Sequence, residues 1–285
     1  MICHVSGGTF PETPQKGNEM ITMKGAFAEA LQIMLDTVSW REPEGLRTGY
    51  PPLDNLTRGM RKGSLTVLVS PPSPEKTAFA LNIVAGLMGR KPETPILFCS
   101  GLSPAELAFR LLTVLSGAAC GHDRDCRAEE ISRLTGCVAD NRDYPLFFEE
   151  HDVADECLPE RVSRLCSENR IGFLIFDPVR PEGLPALRQL ARRLAIPLLA
   201  LVSSGRETGS AEEIAAADTV IRLVRGRRRA GSEPGVPVWL RVTRNRFGLC
   251  GACRMTFVPQ TMRFRVPGCD GAEEEGSETR FSGKA

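Results

Sequence analysis

The sequence holds no run of about eighteen consecutive apolar residues, so no membrane-spanning helix and no membrane partner are expected. It shows no basic-then-apolar leader at its start either, and a cytoplasmic location is the expectation. Histidine is scarce: His4, His122 and His151 form no spaced constellation and are given no role. Ten cysteines are scattered along the chain, several inside apolar runs such as Cys99 in "ILFCS" and Cys166 in "RVSRLC", and in a reducing compartment they read as thiols. "CGAC" at 250–253 gives one C-x-x-C pair with no second pair and no histidine at finger spacing. Zinc is therefore not expected, and a hairpin turn that carries cysteine is the better reading. An excess of one charge is lacking as well, with 36 Lys and Arg against 35 Asp and Glu for a net +1. The tail from Gly268 to Ala285 takes −3 of this (Asp270, Glu273, Glu274, Glu275 and Glu278 against Arg280 and Lys284), leaving +4 on the body. That balance is compatible with a polyanion but does not argue for one.

What is present is the composition of an ordinary soluble protein, 42% hydrophobic and 25% charged over 285 residues, with a pattern that favours one large domain. Residues 1–22 show no periodicity and read as loose. From Met23 to Val38, "MKGAFAEALQIMLDTV" sets Phe27, Leu31, Met34 and Val38 at helical spacing, an amphipathic helix that "SWREPEG" then breaks. Residues 23–43 are thus a helix and linker; the helix would suit packing on its own domain as well as on a neighbour.

Strand-like and helix-like segments then alternate. The strands are "SLTVLV" (64–69), "TPILFCS" (94–100), "YPLFFEE" (144–150), "GFLIFD" (172–177), "IPLLALV" (196–202) and "TVIRLVR" (219–225). Between them fall "EKTAFALNIVAGLMG", "SPAELAFRLLTVLSG", "LPERVSRLCSEN" and "LPALRQLARRLA", with Ser103 and Glu106 spaced as a capping box. Apolar strands alternating with amphipathic helices predict an α/β fold with a mostly parallel sheet covered on both faces. "VPVWLRVTRNRFGLCGACRMTFVPQTMRFRV" changes to a period of two and predicts a terminal antiparallel hairpin. The domain covers 44–267, and 268–285 is an acidic tail of disordered composition.

Three strand ends carry candidate chemistry. "VLVSPPSPEKTAFALNIV" (67–84) has the strand–loop–helix order of a phosphate-binding loop, with Lys76 placed for β/γ-phosphates and Thr77 for Mg²⁺. A strand–helix turn with an incidental Lys-Thr pair would read the same way. "GFLIFD" delivers Asp177 to a strand end 100 residues after Thr77, the arrangement in which a carboxylate holds the Mg²⁺ of a nucleotide. An aspartate capping a strand is the plainer alternative. In "RNRFG", Arg244 and Arg246 alternate onto one strand face and are candidates for phosphate contacts on a neighbouring subunit; two solvated edge arginines would fit equally. "VRGRRRAG" (224–231) reads as a solvated basic turn.

Taken in order, these pieces resemble the C-terminal motor domain of DnaB-type replicative helicases, a RecA-fold ATPase. "GLRTGYPPLDNLTRGMRKGSLTVLVSPPSPEKTAFALNIV" looks like the opening of that domain, and the resemblance runs from about Glu44 to Val266. It implies a RecA-like P-loop NTPase fold, ATP and Mg²⁺ as ligands, Pro72, Ser73, Lys76 and Thr77 at the nucleotide, and Thr77 and Asp177 at the metal. Arg246 matches the family's trans-acting arginine finger and Arg244 the basic residue two before it. Rings of RecA-fold subunits, homo- or hetero-oligomeric, and single-stranded DNA are the partners it implies, with the helix at 23–38 similar to the one that docks subunits together. The family's N-terminal helical domain is expected to be absent.

The departures are specific. Glu75 stands where the family has glycine, and Pro71 and Pro74 where it has no proline. Phosphate cradling needs converging backbone N–H groups, and Pro74 removes one. A carboxylate about 4–5 Å from a phosphate charge costs roughly 3–4 kcal/mol at an effective dielectric of about 20. Lys76 is the neighbour that would neutralise it, at the cost of being diverted from the ligand. Gly101 replaces the glutamate that polarises the attacking water, and Ser203 replaces a sensor glutamine. "PVRPEGLPA", nine residues, is all that separates Asp177 from Leu187, where the family carries its DNA-gripping loop. Two functions follow as expectations. One is a DnaB-like ATPase domain of DNA replication with weakened or lost hydrolysis; the other is a degenerate subunit that assembles, loads or regulates an intact ATPase.

Overall fold

The computed structural model describes residues 45–119, 127–151, 158–204, 214–227 and 235–267, with Met23, Lys24, Ala26, Phe27 and Leu31 of the preceding segment. The loose N-terminus, most of the linker, residues 228–231 of the basic turn and the acidic tail lie outside the described residues. The chain divides into two compact units, Met1–Pro43 and Glu44–Ala285. In the first, the five described residues are helical, as the spacing predicts, and Met23, Phe27 and Leu31 are exposed.

The second unit opens with a short helix that the sequence pattern did not announce, α1 (Pro51–Thr57). Proline suits its first turn because the missing N–H would have no partner there, and Arg58 closes it in the left-handed conformation. The predicted alternation follows. Strand β1 (Leu65–Ser70) leads into α2 (Glu75–Arg90), then β2 (Ile96–Ser100) and α3 (Pro104–Ser116). The Ser103–Glu106 capping box is formed. α4 (Ala128–Asn141), a helix not foreseen, buries none of its residues. β3 (Leu146–Glu150), α5 (Leu158–Asn169) and β4 (Phe173–Val179) come next, and a 3₁₀ turn (Pro181–Gly183) runs straight into α6 (Leu184–Leu194). β5 (Leu198–Ser203) and β6 (Thr219–Arg225) complete the parallel part. β7 (Val236–Asn245), β8 (Gly251–Val258) and β9 (Arg263–Arg265) add the antiparallel end.

All nine strands form one sheet in the order β3-β2-β4-β5-β1-β6-β7-β8-β9. The neighbours from β3 to β6 pair in parallel and those from β6 to β9 antiparallel. Because β1, β2, β4 and β5 are covered on both faces, their apolar residues run continuously, and alternate ones feed two separate cores. Leu68, Phe98, Phe173 and Ile175 pack with Phe79, Ile83 and Leu87 of α2 on one face. Val67, Cys99, Leu174 and Phe176 pack with Val162 and Cys166 of α5 and Leu187 and Leu190 of α6 on the other. In β7 the burial alternates, with Val238, Leu240 and Val242 inward and Trp239 and Arg241 outward, which is the period of two read from the sequence. No helix among the described residues is long and apolar enough to cross a membrane.

Candidate functional site

Parallel strands place their carboxyl ends along one edge, and the ends of β1, β4 and β5 bring the predicted residues together there. β1 stops at Ser70, whose hydroxyl donates to the carbonyl of Pro71, and α2 begins at Glu75 with Pro74 as N-cap. Pro72 is exposed and Ser73 half-buried on the turn between them. Lys76 and Thr77 lie in the first helical turn, both buried.

The Thr77 hydroxyl donates to Asp177 Oδ2 at 2.5 Å, and Lys76 Nζ donates to Ser203 Oγ at the end of β5. Burial pushes the Lys76 ammonium below its ordinary range, opposed by the nearby Asp177. Burial likewise raises the Asp177 carboxyl, opposed by the Thr77 hydrogen bond and then by Lys76. A hydroxyl beside a carboxylate at a strand end is a donor set that suits Mg²⁺, and a buried ammonium next to it suits a phosphate. These three side chains fit the ligands that the sequence implies.

Glu75 does not fit them. Its side chain is completely buried and turned to the other flank, where Oε1 accepts from Arg225 Nε at 2.6 Å and also from Nη2. Arg225, the last residue of β6, is thus the neutralising partner in place of Lys76, which stays with Ser203 and Asp177. Sequence reasoning missed Arg225. The sequence showed a basic residue closing the β-branched strand "TVIRLVR", but its place beside Glu75 comes from the pairing of β6 with β1. A pocket runs along the same flank, between Val69–Ser73 and Arg222–Arg225.

Gly101 follows β2 between two neighbours: its N–H donates to the Asp177 carbonyl at 3.0 Å, and His151 N–H donates to the Ser100 carbonyl at 2.9 Å. A Cβ at Gly101 would meet Pro178 Cδ at 3.6 Å and the His151 carbonyl at 3.8 Å, ordinary contact distances, so the backbone there accepts a Cβ. His151 itself is buried, with neither ring nitrogen hydrogen-bonded.

Arg244 and Arg246 lie at the opposite edge. Arg246 Nη1 reaches Asp218 Oδ1 at 3.1 Å, and Asp218 immediately precedes β6, beside the start of β1. Arg244 donates to the Ala215 carbonyl at 2.8 Å. Both are therefore a full strand length from Lys76, and cannot serve this chain's own phosphate loop. Cys250 and Cys253 are free thiols.

Residues 45–180 match the DnaB-like helicase C terminal domain. A probable replicative DNA helicase of Trieres chinensis is 28% identical over 218 residues, 64% of this chain and 47% of that protein. The replicative DNA helicase DnaB of Geobacillus stearothermophilus is 24% identical over 84% of this chain and 62% of its own length. The chain thus spans about half to three-fifths of these relatives. Among solved structures, an isolated ATPase domain superposes with a TM-score of 0.71 at 18% identity, covering 85% of this chain and 99% of that one. A DnaB-like replicative helicase studied with primase gives 0.71 at 17%, over 84% of this chain and 66% of that one. Residues 45–180 thus carry a DnaB-like helicase C-terminal domain, on a sheet of RecA-type fold.

Proposed function

We propose that this domain is a nucleotide-binding, RecA-type domain of DNA replication whose own ATP hydrolysis is weakened or lost. Lys76 would meet the β/γ-phosphates, and Thr77 and Asp177 would hold Mg²⁺, which supplies charge neutralisation when bound. The observation that carries the loss is Gly101. It sits beside Asp177 just after β2 with space for a Cβ, and offers no carboxylate to orient water. Correct positioning of such a group is worth about 10²–10⁴ in rate. The direct passage from β4 through the 3₁₀ turn into α6 leaves no extended connection there for gripping single-stranded DNA.

Steady-state ATP turnover with Mg²⁺, for the natural chain and for Gly101→Glu, tests the reading. Turnover should be close to background in the natural chain and at least about tenfold faster in the variant. A natural rate in the usual enzyme range of about 1–10³ s⁻¹ would sink it.

One observation favours a second reading. Arg244 and Arg246 lie on the edge remote from this chain's own loop, with Arg246 half-exposed. An arginine so placed cannot serve this chain's own loop but is free to meet a neighbouring subunit, as in a homo- or hetero-oligomeric ring, and the domain would then complete or regulate an intact ATPase.

A further inference from the structure

The first turn of a helix attracts negative charge, because its free N–H groups and summed backbone dipoles point outward. In α2 that charge is already supplied by the helix's own first residue, Glu75. The carboxylate has no solvent exposure, Oε1 is held by Arg225, and Oε2 is buried without a partner. Arg225 differs: its side chain is 59% exposed and lines the pocket beside Pro71, Pro72 and Ser73. The cation of the pair is thus open to dissolved anions while the carboxylate is sealed.

Stability alone gives no reason for this arrangement. A buried carboxylate with one orphaned oxygen carries a desolvation cost that glycine at the same place would not. What the acid does bring is a sealed side chain, held by Arg225, at the start of the helix from whose first turn Lys76 and Thr77 project. We propose that Glu75 and Arg225 form an internal plug at the phosphate loop, which holds a nucleoside triphosphate off while the pair is closed. This rests on reading Lys76, Thr77 and Asp177 as a nucleotide site.

The test is binding, not turnover. A fluorescent ADP with Mg²⁺ is titrated against the full chain, Glu75→Gly, Glu75→Gln and Glu75→Gly/Lys76→Ala, with anisotropy as readout. Removing the carboxylate should tighten binding at least about tenfold for Glu75→Gly and at least about threefold for Glu75→Gln, which keeps the bulk. The Lys76→Ala change should cancel the gain. If Glu75→Gly does not fold, the near-isosteric Glu75→Gln carries the experiment alone. Equal affinity in the natural chain and the folded variants overturns the plug and leaves the nucleotide site standing. Binding by none of them overturns both.

Discussion

Two buried carboxylates anchor opposite edges of the same sheet, and they are satisfied to different degrees. Asp218, at the edge where the parallel strands begin, uses both oxygens: Oδ1 takes Arg188 Nη2 at 2.9 Å and Arg246 Nη1 at 3.1 Å, and Oδ2 takes the Leu65 N–H at 3.1 Å. Glu75, at the edge where they end, uses Oε1 alone and leans on one arginine. Asp218 has the character of a rivet, because no single partner is indispensable. Glu75 has the character of a latch, because everything depends on Arg225. The difference separates a group kept for the fold from one that the fold merely tolerates, and the second kind is where a functional explanation belongs.

Breaking the rivet should have the largest effect. Asp218→Ala leaves the mostly buried Arg188 guanidinium and the Leu65 N–H without their acceptor in one step. A loss of about 3–5 kcal/mol is expected, read as a lower urea midpoint at an unchanged slope. A cost under about 1 kcal/mol would show that water replaces the carboxylate easily, and the contrast with Glu75 would collapse.

Breaking the latch comes next. Arg225→Met strands the Glu75 carboxylate in the interior, yet the lost arginine is more than half exposed, so solvent reaches that side of the pair. About 1–3 kcal/mol is expected, below the figure for Asp218. Most of it should return when Glu75→Gln is added, because the stranded charge is then gone. A double variant no more stable than Arg225→Met would mean that the arginine acts through packing instead of charge.

The alternation of apolar runs with amphipathic helices made the parallel sheet legible in the sequence, and the switch to period two in "VPVWLRV" marked the hairpin. α4 was missed although Ile131, Leu134 and Val138 stand at helical spacing, and the fold leaves Ile131 and Val138 exposed; α1 was hidden under two prolines. At the site, Lys76, Thr77 and Asp177 could be placed because strand ends in an α/β chain share an edge. That Glu75 would turn toward β6 could not. Its partner is 150 residues away, and adjacency of β1 with β6 is a property of the sheet order, which no local pattern encodes. The same limit applied to Arg246: spacing put it on a strand face, whereas it lies one residue past β7, and only the register of β7 against β6 brings it beside Asp218.

The smallest effect sharpens the comparison most. Arg246→Met removes one of two arginines from Asp218, but Arg188 and the Leu65 N–H remain, and the Arg246 side chain is 48% exposed. Its loss should therefore cost no more than about 1 kcal/mol, where the chemically similar change at Arg225 costs more because nothing stands behind it. This near-silence is useful. Since the fold tolerates the change, a fall in ATP turnover by an intact partner ATPase mixed with the Arg246→Met protein, at matched assembly, reports what Arg246 does in trans. An unchanged partner rate would reduce Arg246 to a spare support of Asp218. A rate lowered by roughly the 10³-fold order of a removed arginine finger would make the edge that is redundant for stability the one that matters for the neighbour.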